Sequence, residues 1–142
     1  TGNDHERMEH TGRLRSINRS QWDLDVLEQT LVDPLSHHHR VYTELRRLIA
    51  IRREQPAFHP NATQFTLHLG LEVFGFWRQS LLREQSVFCI HNVTDRIQQV
   101  ALEDVNLIGT DQWRDLISGE EIRDLSGCLT LKPYQAVWLS NR

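Results

Sequence analysis

The chain has 142 residues, of which 39% are hydrophobic and 25% are charged; this composition allows one modest hydrophobic core in a globular protein. The net charge of −3 argues against binding of nucleic acid through a basic surface. No apolar run approaches the roughly 20 residues of a membrane span, and no signal peptide is apparent. We therefore expect a cytoplasmic protein with neither membrane nor nucleic-acid partners.

The first part of the chain predicts helices that follow a polar loop. Residues 1–20 contain two glycines and many polar side chains, which is typical of a loop, with a short helical turn around Glu6–His10. Asp23 suits the N-cap of a helix over 24–32, and Ser36 suits the N-cap of a helix that ends near Arg53. Apolar residues at helical spacing give the second helix one apolar face: Val41, Leu45, Leu48 and Ile49.

From Thr63 onward the apolar residues alternate with polar ones, which is the period of a β-strand. Seven short strands are predicted, the first from Thr63 and the others over 73–78, 87–91, 97–102, 113–117, 128–131 and 136–139. Turn residues interrupt them at Gly70, Asn92, Gly109, Gly119, Gly127 and Pro133. Many short strands with regular turns indicate an antiparallel sandwich or barrel. The chain is therefore α+β, with a helical part over 1–57 and a β-domain over 58–142.

Histidines and acidic residues offer two candidate metal sites, both of which have a simpler interpretation. His37, His38 and His39 are adjacent, so on a helix their side chains project roughly 100° apart and do not share one metal. His5 and His10 flank Glu6, but no second set of ligands is obvious. We therefore predict no metal, and we expect the three adjacent histidines to be solvated or packed in a first helical turn.

The aromatic residues and the cysteines also leave two interpretations open. In a strand, Phe74 and Phe76 lie on one face and Trp77 on the other, and one of these faces is expected to be core. The aromatic side chains, including Trp113 and Trp138, would otherwise form a platform that stacks on sugars. The two cysteines favour buried free thiols, although neighbouring strands would allow a disulfide: Cys89 and Cys128.

Three arginines lie in the polar N-terminal stretch, close to other polar side chains. Lys132 is the single lysine among the 16 basic residues of the chain, and guanidinium groups suit bidentate contacts with carboxylates, phosphates and sugar hydroxyls. Arg13, Arg15 and Arg19 therefore predict either a ligand site or a network of ion pairs that fixes the loop. The residue types alone do not separate these two interpretations.

Two motifs in the same stretch resemble a known family. Asn3-Asp4-His5-Glu6, then Gly12 and the run Arg15-Ser16-Ile17-Asn18-Arg19, are similar to the end of the catalytic barrel in sucrose-phosphorylase-type enzymes of glycoside hydrolase family 13, the α-amylase superfamily. The helices that end in Leu48-Ile49-Ala50-Ile51-Arg52 and the ending Leu131-Lys132-Pro133-Tyr134-Gln135-Ala136-Val137-Trp138-Leu139 also match. The resemblance covers essentially the whole chain.

The resemblance implies a larger enzyme. Members are (β/α)8 barrels with a C-terminal antiparallel β-domain; they cleave an α-glucosidic bond with retention, through an Asp nucleophile and a Glu acid/base, and pass the glucosyl group to phosphate. None of the motifs that carry these carboxylates occurs in this sequence. We therefore expect this chain to be the C-terminal portion of such an enzyme and to be inactive alone. The whole enzyme would use phosphate as co-substrate and need no cofactor. The partner of this chain would be the rest of the barrel, and a homodimer is also possible.

The resemblance also implies which residues meet the substrate. Arg15 is the first arginine of the Arg-x-Ile-Asn-Arg motif and is expected to reach the bound glucosyl unit, with Asn18, Arg19 and Asp4 as supporting residues. Ser16 stands where sucrose phosphorylases usually have Asp, and Ser20 where they often have His. The substrate is therefore expected to differ from sucrose, with a glucosylglycerate type as one example, and a hydrolase or transglucosidase stays open. The competing class is a non-catalytic carbohydrate-binding or interaction module.

Overall fold

The structure, a computed structural model, describes residues 3–19, 21–105, 107 and 112–142. The chain divides into two compact units, Thr1–Arg46 and Arg47–Arg142, and the boundary falls within a helix. We refer to them as the helical unit and the β unit. The predicted division at residue 57 remains a prediction.

Three helices account for most of the first 53 residues: α1 (His5–Thr11), α2 (Leu24–Val32) and α3 (His37–Arg53). Asp23 caps α2, because its carboxylate accepts from the backbone N–H groups of residues 25 and 26. The Ser36 hydroxyl accepts from the backbone N–H of His38 at 3.1 Å and caps α3. Both caps, and the bounds of α2 and α3, are as the sequence predicted.

The β unit contains an antiparallel sheet of six strands: β1 (Thr63–Leu67), β2 (Val73–Gln79), β3 (Ser86–Asn92), β5 (Trp113–Asp115), β6 (Glu121–Ile122) and β8 (Ala136–Ser140). Their order across the sheet is β1-β2-β3-β8-β5-β6. Two further strands, β4 (Gln98–Ala101) and β7 (Cys128–Leu131), pair with each other in a second sheet. A four-residue helix, α4 (Leu102–Val105), follows β4.

The core of the β unit lies on both faces of β3, because alternate side chains of a strand point to opposite sides of the sheet. Phe88 and Ile90 belong to a buried cluster that also includes residues of the second sheet, so the two sheets share one core. On the other face, Val87 and Cys89 pack with buried Ala57 and Phe58, from the 3₁₀ turn Pro56–Phe58. This two-faced burial explains the unbroken apolar run of β3.

Buried polar side chains fix the connections between strands. The Gln85 side chain is 1% exposed, and it accepts from the backbone of Ala57 at 3.0 Å while it donates to Gln55 and Ser140. Arg78 donates to the backbone carbonyls of Ala57 at 2.8 Å and His59 at 2.7 Å. These bonds hold the segment after α3 against the large sheet. Periodicity does not reveal such contacts, because they join residues more than 15 positions apart.

The prediction of strand 113–117 is wrong at its end. Asp115 is 4% exposed, and its carboxylate accepts from the backbone N–H groups of Ile117 and Ser118, which turns the chain after three strand residues. The short strand β6 and helix α4 were not predicted. Gly109 lies outside the described residues.

The two cysteines differ in environment. Both are free thiols, but Cys89 is buried and Cys128 is exposed, so the prediction of two buried thiols is wrong for Cys128. That residue starts β7, whose outer side faces solvent. Burial raises the pKa of the Cys89 thiol to about 12, against the opposing effect of the Arg78 charge, so Cys89 stays protonated.

Within the described residues, no helix is long and apolar enough to cross a membrane.

Candidate functional site

The segment Asn3–Arg19, which we call the N-terminal loop, is closed by hydrogen bonds between its two ends. The backbone N–H of Asp4 donates to the Ile17 carbonyl at 2.6 Å, and the Asp4 carboxylate caps α1 by accepting from the N–H of Arg7 at 2.9 Å. After α1 the chain reverses at Gly12, whose φ of 63° suits glycine. A 3₁₀ turn over Leu14–Asn18 completes the loop.

Ser16 is the buried centre of this loop. It is 9% exposed, and its hydroxyl accepts from the Thr11 hydroxyl at 3.0 Å. The residue that departs from the usual Asp of sucrose phosphorylases therefore has a structural role here. Ser20, the second departure, lies outside the described residues.

Arg15 and its neighbours are exposed. Arg13, Arg15, Asn18 and Arg19 all present their side chains to solvent. Within the part of the chain that the structure describes, no carboxylate pairs with any of the three arginines. The structure thus gives no support to a network of ion pairs within this chain, and the arginine forks are free to meet a ligand or another protein segment.

The supporting residues separate into two kinds. Asp4 has a structural role, because it caps α1 and its backbone N–H closes the loop. The side chains of Asn18 and Arg19 are exposed instead. The backbone N–H of Arg19 donates to the Ser16 carbonyl at 3.2 Å. Their roles, and that of Arg15, towards a substrate stay predictions.

A cleft of about 380 Å³ beside Asp4 is lined by Glu6, Arg7 and His10.

The candidate metal ligands do not come together. Among the described residues, no group of three or more His, Cys, Asp or Glu side chains is placed to hold a metal ion. His38 packs edge-on against Trp22, with ring centroids 5.1 Å apart. His39 places Nδ1 2.6 Å from the carbonyl of Leu31. The adjacent histidines therefore join α2 to the first turn of α3, as the packing interpretation predicted.

The aromatic residues divide between the two faces of the large sheet. Trp77 stacks on Phe65 and on Phe88, with ring centroids 4.9 and 5.6 Å apart, and belongs to the core side. Trp113 is 2% exposed. On the outer face, Phe74 is 53% exposed, and its ring is tilted by 48° from that of Phe76. The tilted pair does not form the flat platform that stacking on a sugar requires.

His91 lies on this outer face as well. Its ring is parallel to that of Phe76 within 14°, and its Nε2 atom is buried with no hydrogen-bond partner among the described residues. Burial lowers the pKa of the His91 imidazole below its ordinary value. The ring is therefore neutral and acts as part of an apolar surface.

The fold is shared with a carbohydrate-bound protein. The crystal structure of AmyP in complex with maltose superposes on 79% of this chain with a TM-score of 0.62 and 17% sequence identity, over 22% of its own length. This likeness shows the fold alone: a mixed α and β chain dominated by an antiparallel sheet. No family model matches the chain.

Sequence comparison identifies the relatives more closely. The glucosylglycerate phosphorylase of Allomeiothermus silvanus is 38% identical over 96% of the chain, and that of Escherichia coli K12 is 34% identical over 96%. A third, from Spirochaeta thermophila, is 27% identical over 95%. The chain spans about a fifth of the length of these curated relatives, from 21% to 24%. The chain is therefore similar to the C-terminal part of glucosylglycerate phosphorylases, which confirms the predicted resemblance to a phosphorylase.

Proposed function

We propose that this chain is the C-terminal portion of a retaining α-glucosyl phosphorylase that acts on glucosylglycerate. The observation that carries the proposal is the 38% and 34% identity to two glucosylglycerate phosphorylases over nearly the whole chain. The serines at positions 16 and 20, where sucrose phosphorylases usually carry Asp and often His, agree with a substrate other than sucrose. Phosphate is the co-substrate, no cofactor takes part, and the location is cytoplasmic.

The helical unit is the part that completes a catalytic barrel. Its described residues include no buried apolar side chain, and an amphipathic helix normally needs such burial to be stable. The apolar face of α3 is open within this unit, with Val41 and Leu45 exposed by 68% and 54%. Exposed apolar surface of this extent indicates a missing partner. The rest of the barrel is that partner.

Arg15 contributes the substrate contact. Its guanidinium is exposed, has no carboxylate partner among the described residues, and sits in a loop closed by Asp4 and Ser16. A guanidinium group on a fixed loop offers two parallel N–H donors to sugar hydroxyls. Because the group is planar, little side-chain entropy is lost for each hydrogen bond formed. The carboxylates that form and break bonds come from the rest of the enzyme, so this chain positions the glucosyl unit.

The test is an assay of the full-length protein that contains this chain. The enzyme is offered glucosylglycerate or sucrose, each with phosphate, and glucose 1-phosphate and free glucose are measured. We expect glucose 1-phosphate from glucosylglycerate and at least tenfold less from sucrose. Free glucose without glucose 1-phosphate would identify a hydrolase, and efficient reaction of sucrose would overturn the substrate assignment.

A variant separates the role of Arg15 from that of the fold. Arg15→Gln is expected to lower kcat/KM about 10- to 100-fold, because a charge-assisted contact is worth roughly 1.5–3 kcal/mol. Arg83→Gln, in an exposed turn of the β unit, is the control and should leave kcat/KM unchanged. Equal activity of Arg15→Gln and the wild type would remove Arg15 from the site.

A further inference from the structure

A cleft of about 610 Å³ lies at the β5–β6 end of the large sheet and is rich in arginine. Arg114, Arg123 and Arg142 line it, together with Glu121 and Trp113. Nothing in the proposed activity uses these residues. The cleft belongs entirely to the β unit, which has a core of its own.

Strand register explains why the three arginines meet. The Cα partner of Arg114 is Glu121 on β6 and Ser140 on β8. Arg123 follows Glu121 by two residues, and Arg142 follows Ser140 by two residues. Arg123 lies one residue beyond the end of β6, and Arg142 lies two residues beyond the end of β8. The pairing of β5 with these two strands therefore brings the three arginines to one cleft. The Trp113 ring is buried in the core of the β unit and fixes β5.

The charges in the cleft do not balance. Three guanidinium groups line it, and Glu121 is the only carboxylate among its lining residues that the structure describes. Glu121 accepts two bonds from Arg123, at 3.0 and 3.2 Å. Arg142 lies 3.5 Å from Glu84, outside the lining, and within the described residues Arg114 has no carboxylate partner. The cleft therefore carries excess positive charge.

The existing ion pairs are replaceable. The side chains of Arg123 and Glu121 are 87% and 66% exposed, and those of Arg142 and Glu84 are 61% and 60% exposed. Exposed pairs of this kind are weak because water screens them. An anion that contacts several guanidinium groups at once can compete with both carboxylates.

We propose that this cleft binds a phosphate group. A phosphate dianion presents three oxygens in a tetrahedral arrangement, so it can accept from guanidinium forks that approach from different sides, whereas one carboxylate satisfies one fork. The phosphate group belongs either to inorganic phosphate or to a sugar phosphate. This site is separate from Arg15 and does not depend on the proposed catalytic activity.

The test is a titration of this chain followed by ¹H–¹⁵N NMR, with inorganic phosphate in one arm and glucose 1-phosphate in the other. Glucose and sodium chloride serve as blanks. We expect saturable shifts of the Arg114, Glu121 and Arg123 signals with a Kd of about 1 mM. Saturation by both anions identifies the phosphate group as the ligand, and saturation by glucose 1-phosphate alone identifies a sugar phosphate. A linear response that sodium chloride reproduces would overturn the site.

Variants locate the binding. Arg114→Gln and Arg123→Gln are each expected to weaken binding at least tenfold, and both positions are exposed, so the fold should be retained. Arg40→Gln, on the exposed side of α3, removes the same charge elsewhere and should change Kd less than twofold. Equal weakening in all three variants would show a general effect of net charge and contradict the proposal.

Discussion

The two units of this chain bury their apolar residues very differently. Among the described residues, all fourteen buried hydrophobic side chains lie in the β unit, at positions from Ala57 to Leu139. The helical unit has helices with well-formed caps at Asp23 and Ser36, yet Leu24, Val32 and Leu35 are at least 65% exposed. Local signals are thus enough to shape a helix, whereas stability comes from what the helix packs against.

This difference has a functional meaning. The β unit stabilises itself through a core between two sheets and a second cluster under the segment 56–58. The helical unit carries the Arg15 motif and leaves its apolar side chains exposed. The self-contained core of the β unit and the exposed apolar side chains of the helical unit agree with the proposal that the chain is the C-terminal part of a larger enzyme.

The sharpest test of the comparison is a matched pair of truncations to alanine. Ile90 is fully buried in the β unit, and Ile90→Ala should lower the free energy of unfolding by about 3 to 4 kcal/mol, because it leaves a cavity. Leu45 on α3 is 54% exposed, so Leu45→Ala should change the free energy of unfolding by less than about 0.5 kcal/mol. Urea unfolding of both variants measures this. A large loss in Leu45→Ala would mean that α3 packs within this chain or against a second copy.

A smaller effect is expected from a buried polar residue of the β unit. The Asn92 amide is 3% exposed; it donates to Arg96 at 2.6 Å and to Lys132 at 2.9 Å. Asn92→Ala removes both of these bonds and the two that the Asn92 Oδ1 atom accepts from Thr94, so it should cost about 2 to 3 kcal/mol. Exposed Asn61→Ala is the control and should be within about 0.5 kcal/mol of the wild type. Equal midpoints in urea would contradict this role of Asn92.

Close packing between β1 and β2 predicts a more modest loss. A Cβ added at Gly75 would lie 2.6 Å from Leu69 Cδ1 and 3.2 Å from Leu67 Cβ. Gly75→Ala should therefore destabilise the β unit by about 1 to 2 kcal/mol, measured as a lower melting temperature. Gly127→Ala is the matched control, because its added Cβ would approach only the exposed Asp124, with Oδ2 at 3.3 Å and the backbone carbonyl at 3.8 Å. A stabilised Gly75→Ala variant would show that this approach has room for a methyl group.

The weakest effect concerns pH. Burial lowers the pKa of His91 in the folded protein, so as pH falls through about 6.5 the unfolded chain takes up a proton before the folded one does. The contribution of His91 to the free energy of unfolding is therefore fully present above about pH 6.5. It decreases as pH falls from there, and it becomes constant below the pKa that His91 has in the folded protein. The difference between wild type and His91→Phe in urea unfolding should follow this course. A pH-independent difference would mean that His91 has an ordinary pKa.

The sequence predicted some features well because their causes are local. The N-caps of α2 and α3 depend on residues within three positions, and the alternation in β7 gave its bounds of Cys128–Leu131 as observed. The end of β5 was missed although its cause is local, because the Asp115 carboxylate accepts from backbone N–H groups two and three positions further on. The exposure of Cys128 depends instead on the pairing of β4 with β7, which joins residues far apart in the chain.

The candidate site shows the same limit. The Arg-x-Ile-Asn-Arg motif pointed to Arg15 through resemblance, and the structure adds that Asp4 and Ser16 close the loop around it. The arginine cleft was out of reach of the sequence, because Arg114, Arg123 and Arg142 are brought together only by the pairing of β5 with β6 and β8.

The sequence by itself determined the helix caps, the strand period and the likeness to a family 13 phosphorylase, since each of these is written in short motifs or in periodicity. Only the tertiary structure decided which apolar faces are buried and which charged side chains meet. Burial and charge balance depend on residues that are far apart in the chain, and only the folded sheets bring them within reach of one another.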